Sequence, residues 1–154
     1  MLRITIPSAE LWDEKRQEFR YTEEQPLVLE HSLISLSKWE SKWEKPFLNS
    51  KQEKTTEETI DYIRCMTLNR NVDDKSYKYL TNENMKEIND YIDAPMTATV
   101  FYEDKNKFIG HRETITSELI YYWMIALNIS IECEKWHLNR LFTLIKVCNI
   151  VSAQ

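Results

Sequence analysis

The chain has 154 residues, a formal net charge of -5, 42% hydrophobic and 29% charged residues. That length suits one domain, 1–154, able to bury roughly 70% of the unfolded chain's surface with no disulfide or metal staple. The acidic balance disfavours nucleic acid as a partner, and one glycine, Gly110, leaves no glycine-rich phosphate cradle.

The first part, 1–31, reads as β-rich. Leu2–Ile6 alternates apolar and polar residues and is closed by Pro7. No long apolar run marks a signal peptide. Residues 10–12 and 18–22 flank the polar segment 13–17, which suits a hairpin loop. Residues 26–30 add a further short strand. Three or four such strands predict a small antiparallel meander with one covered face.

A mainly helical part, 32–154, follows. Ser32 is placed to cap a first helix carrying Leu36, Trp39 and Trp43 in line, with Pro46 as its stop. Within it the run KWESKWEK repeats a four-residue unit. Its lysine stripe (Lys38, Lys42) and glutamate stripe (Glu40, Glu44) predict a wet face beside the tryptophans. Thr55 with Glu58 fits a capping box opening a second helix through Ile60, Ile63 and Met66. A polar turn spans 69–76. Thr81 caps a third helix over 82–92, stopped by Pro95. Residues 97–102 form a β-rich run, and 103–110 a charged turn. The pattern over 114–128 predicts a fourth helix, ended by Asn128 in the left-handed region. Ser130 is placed to cap the last helix, with Glu132 and Glu134 in its first turn and Trp136, Leu138, Leu141 and Ile145 along it. The expected class is α+β: an N-terminal antiparallel β-meander followed by a bundle of about five helices.

Chemistry-bearing patterns are sparse. Cys65, Cys133 and Cys148 are odd in number with no close pair, which suits reduced thiols. Cys133 and His137 share a helical spacing that is half of a zinc site, but no second pair completes it, and His31 and His111 stand alone. The spacing favours a core cysteine and a hydrogen-bonded histidine over a metal. No nucleophile elbow accompanies any cysteine or histidine, so no catalytic residue, metal or cofactor is expected. The most apolar stretch, 119–127, is about half of a membrane span. Tyr121, Tyr122 and Trp123 point three ways from one helix, so at least one should lie near the surface. Trp39, Trp43, Tyr121, Trp123 and Trp136 are therefore core aromatics, a subset of which is available to a protein partner.

Five runs carry a resemblance: LEHSLISLSKWESKWEKPFL (29–48), KTTEETIDYIRCMT (54–67), INDYIDAPMTAT (88–99), ELIYYWMIALNI (118–129) and WHLNRLFTLIKVC (136–148). In that order they resemble a family of small proteins of long-tailed bacteriophages, similar to tail assembly chaperones. The resemblance implies a non-catalytic oligomeric protein of the host cytoplasm. Such a protein coats the helical tape measure protein before the tail tube forms and is absent from the virion. It also implies self-association, and no nucleic acid or membrane partner. Relatives are commonly made in two lengths by frameshifting; ending at NIVSAQ (149–154), this chain corresponds to the short form or departs from that pattern. Two rival readings are a virion structural subunit, such as a tail completion or connector protein, and a small inhibitor of a host protein.

Overall fold

The computed structural model describes residues 1–49, 53–101 and 114–152. The expected charged turn at 103–110, with Gly110, and His111 lie outside them. The α+β class holds, with four N-terminal strands and then helices.

The strands are β1 (Leu2–Ile6), β2 (Glu10–Asp13), β3 (Glu18–Tyr21) and β4 (Gln25–Leu29). They do not form a sequential meander. β1 pairs with β4, and β2 with β3, as two antiparallel ribbons, the second inserted within the first. The reason lies in the side chains. Ile4 and Ile6 of β1 stand opposite Leu27 and Gln25 of β4, and Ile4, Ile6, Leu27 and Leu29 are all buried. One-faced burial fixes that register. By contrast every residue of β3 is exposed, so nothing draws it onto the core sheet.

Five α-helices follow among the described residues: α1 (Leu33–Trp43), α2 (Thr56–Met66), α3 (Asn82–Asp93), α4 (Ser117–Ala126) and α5 (Leu138–Ser152). Side-chain caps set their starts. Ser32 and Ser35 form a reciprocal capping box on α1, Thr81 and Asn84 another on α3, while Thr55 and Thr116 open α2 and α4. Three local expectations are corrected. Ser130 opens a short 3-10 turn, Ile131–Lys135, so Glu132 and Glu134 lie there and not in the first turn of α5. A second 3-10 turn, Asp74–Tyr79, interrupts the expected polar turn and buries Tyr77. Residues 97–101 hold no strand, and Tyr102 lies outside the described residues.

Two apolar clusters result. The first joins the β1–β4 ribbon to Trp39 of α1, Tyr62, Ile63 and Met66 of α2, Tyr77, and Ile88 of α3. The second joins Leu33 and Leu36 of α1 to Ile120 and Met124 of α4 and Leu138, Leu141 and Ile145 of α5. Helix α1 is the shared wall: its two faces enter different clusters. Backbone bonds sew the first cluster together: Leu68 N–H donates to Val28 O at 2.7 Å, and Glu30 N–H to Met66 O at 3.0 Å. The second is sewn on by Leu138 N–H, which donates to His31 O at 2.7 Å.

The end of α1 is made two residues before Pro46, by Glu44 in the left-handed region at φ 53°, ψ 35°. Its N–H donates to Glu40 O at 2.9 Å, as a glycine would at this position. A Cβ there is strained, and Glu44 is exposed, so its side chain contributes little in return. Glu44→Gly is expected to raise unfolding stability by about 0.5–1 kcal/mol. A shift of the urea midpoint to higher concentration checks this, and a lower midpoint contradicts it.

Candidate functional site

The KWESKWEK run is a joint, and four of its polar tips reach across to α2. Trp39 is fully buried, and its indole N–H donates to Glu58 O at 2.9 Å across to α2. Trp43, half-buried, donates its indole N–H to Asp61 Oδ2 at 2.8 Å. Lys42 Nζ reaches Asp61 Oδ1 at 2.9 Å, and Lys45 Nζ reaches Glu58 at 2.8 Å. Burial pushes the Asp61 carboxyl up, but the Lys42 and Trp43 hydrogen bonds outweigh it and hold it below the usual range.

The glutamate stripe is wet at Glu44 but not at Glu40. Glu40 is buried, accepting from Phe47 N–H at 3.0 Å and from Ser117 N–H at 2.7 Å. Ser117 is the first residue of α4, so Glu40 places an acceptor at the positive end of that helix. Sequence spacing alone assigns Glu40 the same standing as exposed Glu44. What separates them is a residue 77 positions away.

The five aromatics singled out from sequence do not converge on one surface. Trp39 has no surface to offer. Trp43 packs on the first cluster, with its ring 6.3 Å from that of Trp39. Tyr121 and Trp123 pack on the second, and the Tyr121 hydroxyl donates to Glu134 Oε2 at 2.8 Å. Trp136 is half-exposed under the Arg140 guanidinium, 4.1 Å from the ring centre. The aromatics most open to solvent are others. Tyr122 and Ile125, 63% and 71% exposed, form the outer face of α4, whose inner face buries Ile120 and Met124. Trp12, Phe19 and Tyr21 are exposed on the β2–β3 ribbon. The signal for the α4 face was present, since three consecutive aromatics on a helix diverge. The signal for the ribbon was weaker, because period-two alternation does not say which strand is left uncovered.

A chain of buried polar groups joins the two clusters. His31 Nδ1 lies 2.6 Å from the Tyr62 hydroxyl, which lies 3.0 Å from Ser35 Oγ. Its ring stands 5.3 Å from that of His137. Both nitrogens of His137 are engaged: Nδ1 accepts from Asn139 N–H at 3.1 Å, and Nε2–H donates to Tyr91 O at 2.7 Å. With both nitrogens engaged, the imidazole offers no free lone pair to a metal shared with Cys133. Serine, tyrosine and histidine are within reach of one another, but all are at most 5% exposed, so no substrate reaches them. Their work is structural, satisfying donors and acceptors at the seam. Burial of the Cys65 thiol raises its pKa, which leaves it protonated and unreactive. No helix among the described residues is long and apolar enough to cross a membrane.

Burial, and then the neighbouring His137, lower the pKa of His31 to about 3. The unfolded chain protonates His31 near pH 6.5, whereas the folded chain keeps it neutral. Between those values the unfolded state binds the extra proton, so stability falls as pH falls. The contribution approaches about 1.4 kcal/mol per pH unit. Unfolding free energies measured from pH 7 to pH 4 should fall more steeply for the wild type than for His31→Asn; equal slopes contradict this. No protein-family model matches the chain, and neither a curated protein nor a solved structure matches it.

Proposed function

We propose that the chain is a non-catalytic bacteriophage tail assembly chaperone that binds the tape measure protein in the host cytoplasm while the tail is built. The observation that carries the reading is the outer face of α4. Nine of the ten residues 118–127 are apolar or aromatic, yet the helix buries only one side. Tyr122 and Ile125 project from the other, and Ile131 in the following 3-10 turn is exposed beside them in sequence. An outward apolar helix face is suited to a second amphipathic helix packed along it. A long helical rod offers many such helices, and a partner that reads shape and apolarity can bind along it repeatedly. The sequence resemblance points the same way. The face is small, so each contact is weak and coating a rod depends on many copies.

The test is co-expression with the tape measure protein of the phage that encodes the chain. The wild type should keep the tape measure protein soluble, in a complex of many copies. Tyr122→Asp and Ile125→Asp should each abolish co-purification, while the melting temperature stays within a few degrees of wild type because both residues are exposed. Retained co-purification by the double variant would exclude α4 as the contact. An unbound wild-type chain beside aggregated tape measure protein would remove the reading itself.

A further inference from the structure

The β2–β3 ribbon stands off the body. Its base is clamped by two bonds: Thr22 N–H donates to Ala9 O at 2.8 Å, and Ala9 N–H to Thr22 Oγ1 at 2.7 Å. Its tip is a turn in which Asp13 Oδ1 accepts from Lys15 N–H at 3.0 Å, with Gln17 in the left-handed region. Beyond this, among the described residues, the two strands pair only with each other. The ribbon has two unlike faces. Glu10 opposite Tyr21 and Trp12 opposite Phe19 make one face, the Trp12 and Phe19 rings packed edge to face at 4.9 Å. Leu11 opposite Arg20 and Asp13 opposite Glu18 make the other. Leu11 shares a shallow pocket with Ile6 and Tyr79, so this charged face looks toward the body and the aromatic face looks out.

Two features of the isolated ribbon are unfavourable. Two four-residue strands with an uncovered apolar face are marginal in water; a third or fourth strand is the usual remedy. In addition, Glu18 stands directly opposite Asp13, a like-charge pair, and Arg20 bridges to Asp13, at 3.1 Å, and to no other described residue. The outer edge of β3 pairs with no strand among the described residues, and its sequence, Glu18-Phe19-Arg20, is self-complementary when run antiparallel to itself.

We infer that the outer edge of β3 is the docking site for β3 of a second copy of this chain, paired antiparallel about a two-fold axis at Phe19. That register places Glu18 opposite the second copy's Arg20, Arg20 opposite its Glu18, and Phe19 opposite its Phe19. Opposed residues share a face, so both charge pairs fall on the charged side and both phenylalanines on the aromatic side. The product is a four-stranded sheet, β2-β3-β3-β2. Each Arg20 is then shared between Asp13 of its own chain and Glu18 of the other, which relieves the Glu18–Asp13 repulsion. Trp12, Phe19 and Tyr21 of the two copies become one continuous aromatic surface. The inference stands on the ribbon alone and holds whether or not α4 takes a tape measure helix.

Sedimentation velocity over a concentration series tests it with two single variants and their mixture. The wild type should dimerise reversibly. Glu18→Arg sets guanidinium against guanidinium in both cross-copy pairs, and Arg20→Glu sets carboxylate against carboxylate. Each should weaken dimerisation by about tenfold or more. Mixing the two variants should restore it, because the two cations of one β3 then face the two carboxylates of the other. Loss of folding does not recover on mixing, so rescue separates pairing from damage. A monomeric wild type would overturn the proposal and leave the aromatic face to a different chain. Variants that dimerise as the wild type does, or fail to rescue each other, would overturn it as well.

Discussion

The carboxylate of Glu40 holds the arrangement together. It sits on α1, the one helix whose two faces enter different apolar clusters, and it accepts from two backbone N–H groups on opposite sides of that helix's end. One, from Phe47, fixes the turn that brings the Phe47 ring back over Tyr62 at 3.9 Å. The other, from Ser117, fixes where α4 begins. Without that acceptor one buried donor, Ser117 N–H, and one part-buried donor, Phe47 N–H, lose their partner, the buried one worth about 1–3 kcal/mol. α1 is therefore a hinge pin, with tryptophans gripping α2 on one side and a glutamate gripping α4 on the other.

The rest of the KWESKWEK run follows from that role. A tryptophan supplies apolar area and one donor, and both indoles here spend the donor across the α1–α2 seam. Lys42 and Lys45 run outward along the helix and return their charged tips to Asp61 and Glu58. The repeat is a four-residue helical period in which the tryptophans and lysines reach α2 while Glu40 reaches α4. It serves cohesion, and it leaves the surfaces available to partners elsewhere, on α4 and on the β2–β3 ribbon.

Much of the fold was legible in sequence because the signals are local. Caps at Ser32, Thr55 and Thr81 mark helix starts by chemistry confined to four residues, and alternation in Leu2–Ile6 marks a half-buried strand. The failures share one cause: the deciding contact is distant. Whether strands 10–13 and 18–21 join the core sheet depends on what Ile4, Ile6 and Leu27 leave uncovered. Whether Glu40 is wet depends on Ser117. Ser130 had the chemistry of a helix cap and opened a 3-10 turn instead, because the chain turns extended at Trp136 and α5 begins only at Leu138, whose N–H bonds to His31 O. That Trp39 lies wholly in the core was undecided in the sequence for the same reason. A large aromatic is equally suited to a core and to an interface, and only the packed neighbours distinguish the two.

The candidate sites divide the molecule's work. The interior, with its histidines and hydroxyls bonded to one another and closed to solvent, makes stability depend on pH through His31. The outer face of α4 and the aromatic ribbon are the exposed apolar surfaces on which the proposed contacts rest, and α1 fixes the position of α4. Equilibrium denaturation of Glu40→Ala, followed together with amide exchange at Ser117 and Phe47, tests that dependence most directly. The account predicts a loss of about 2–4 kcal/mol, with exchange at both amides accelerated. An unchanged midpoint with both amides still protected would contradict it.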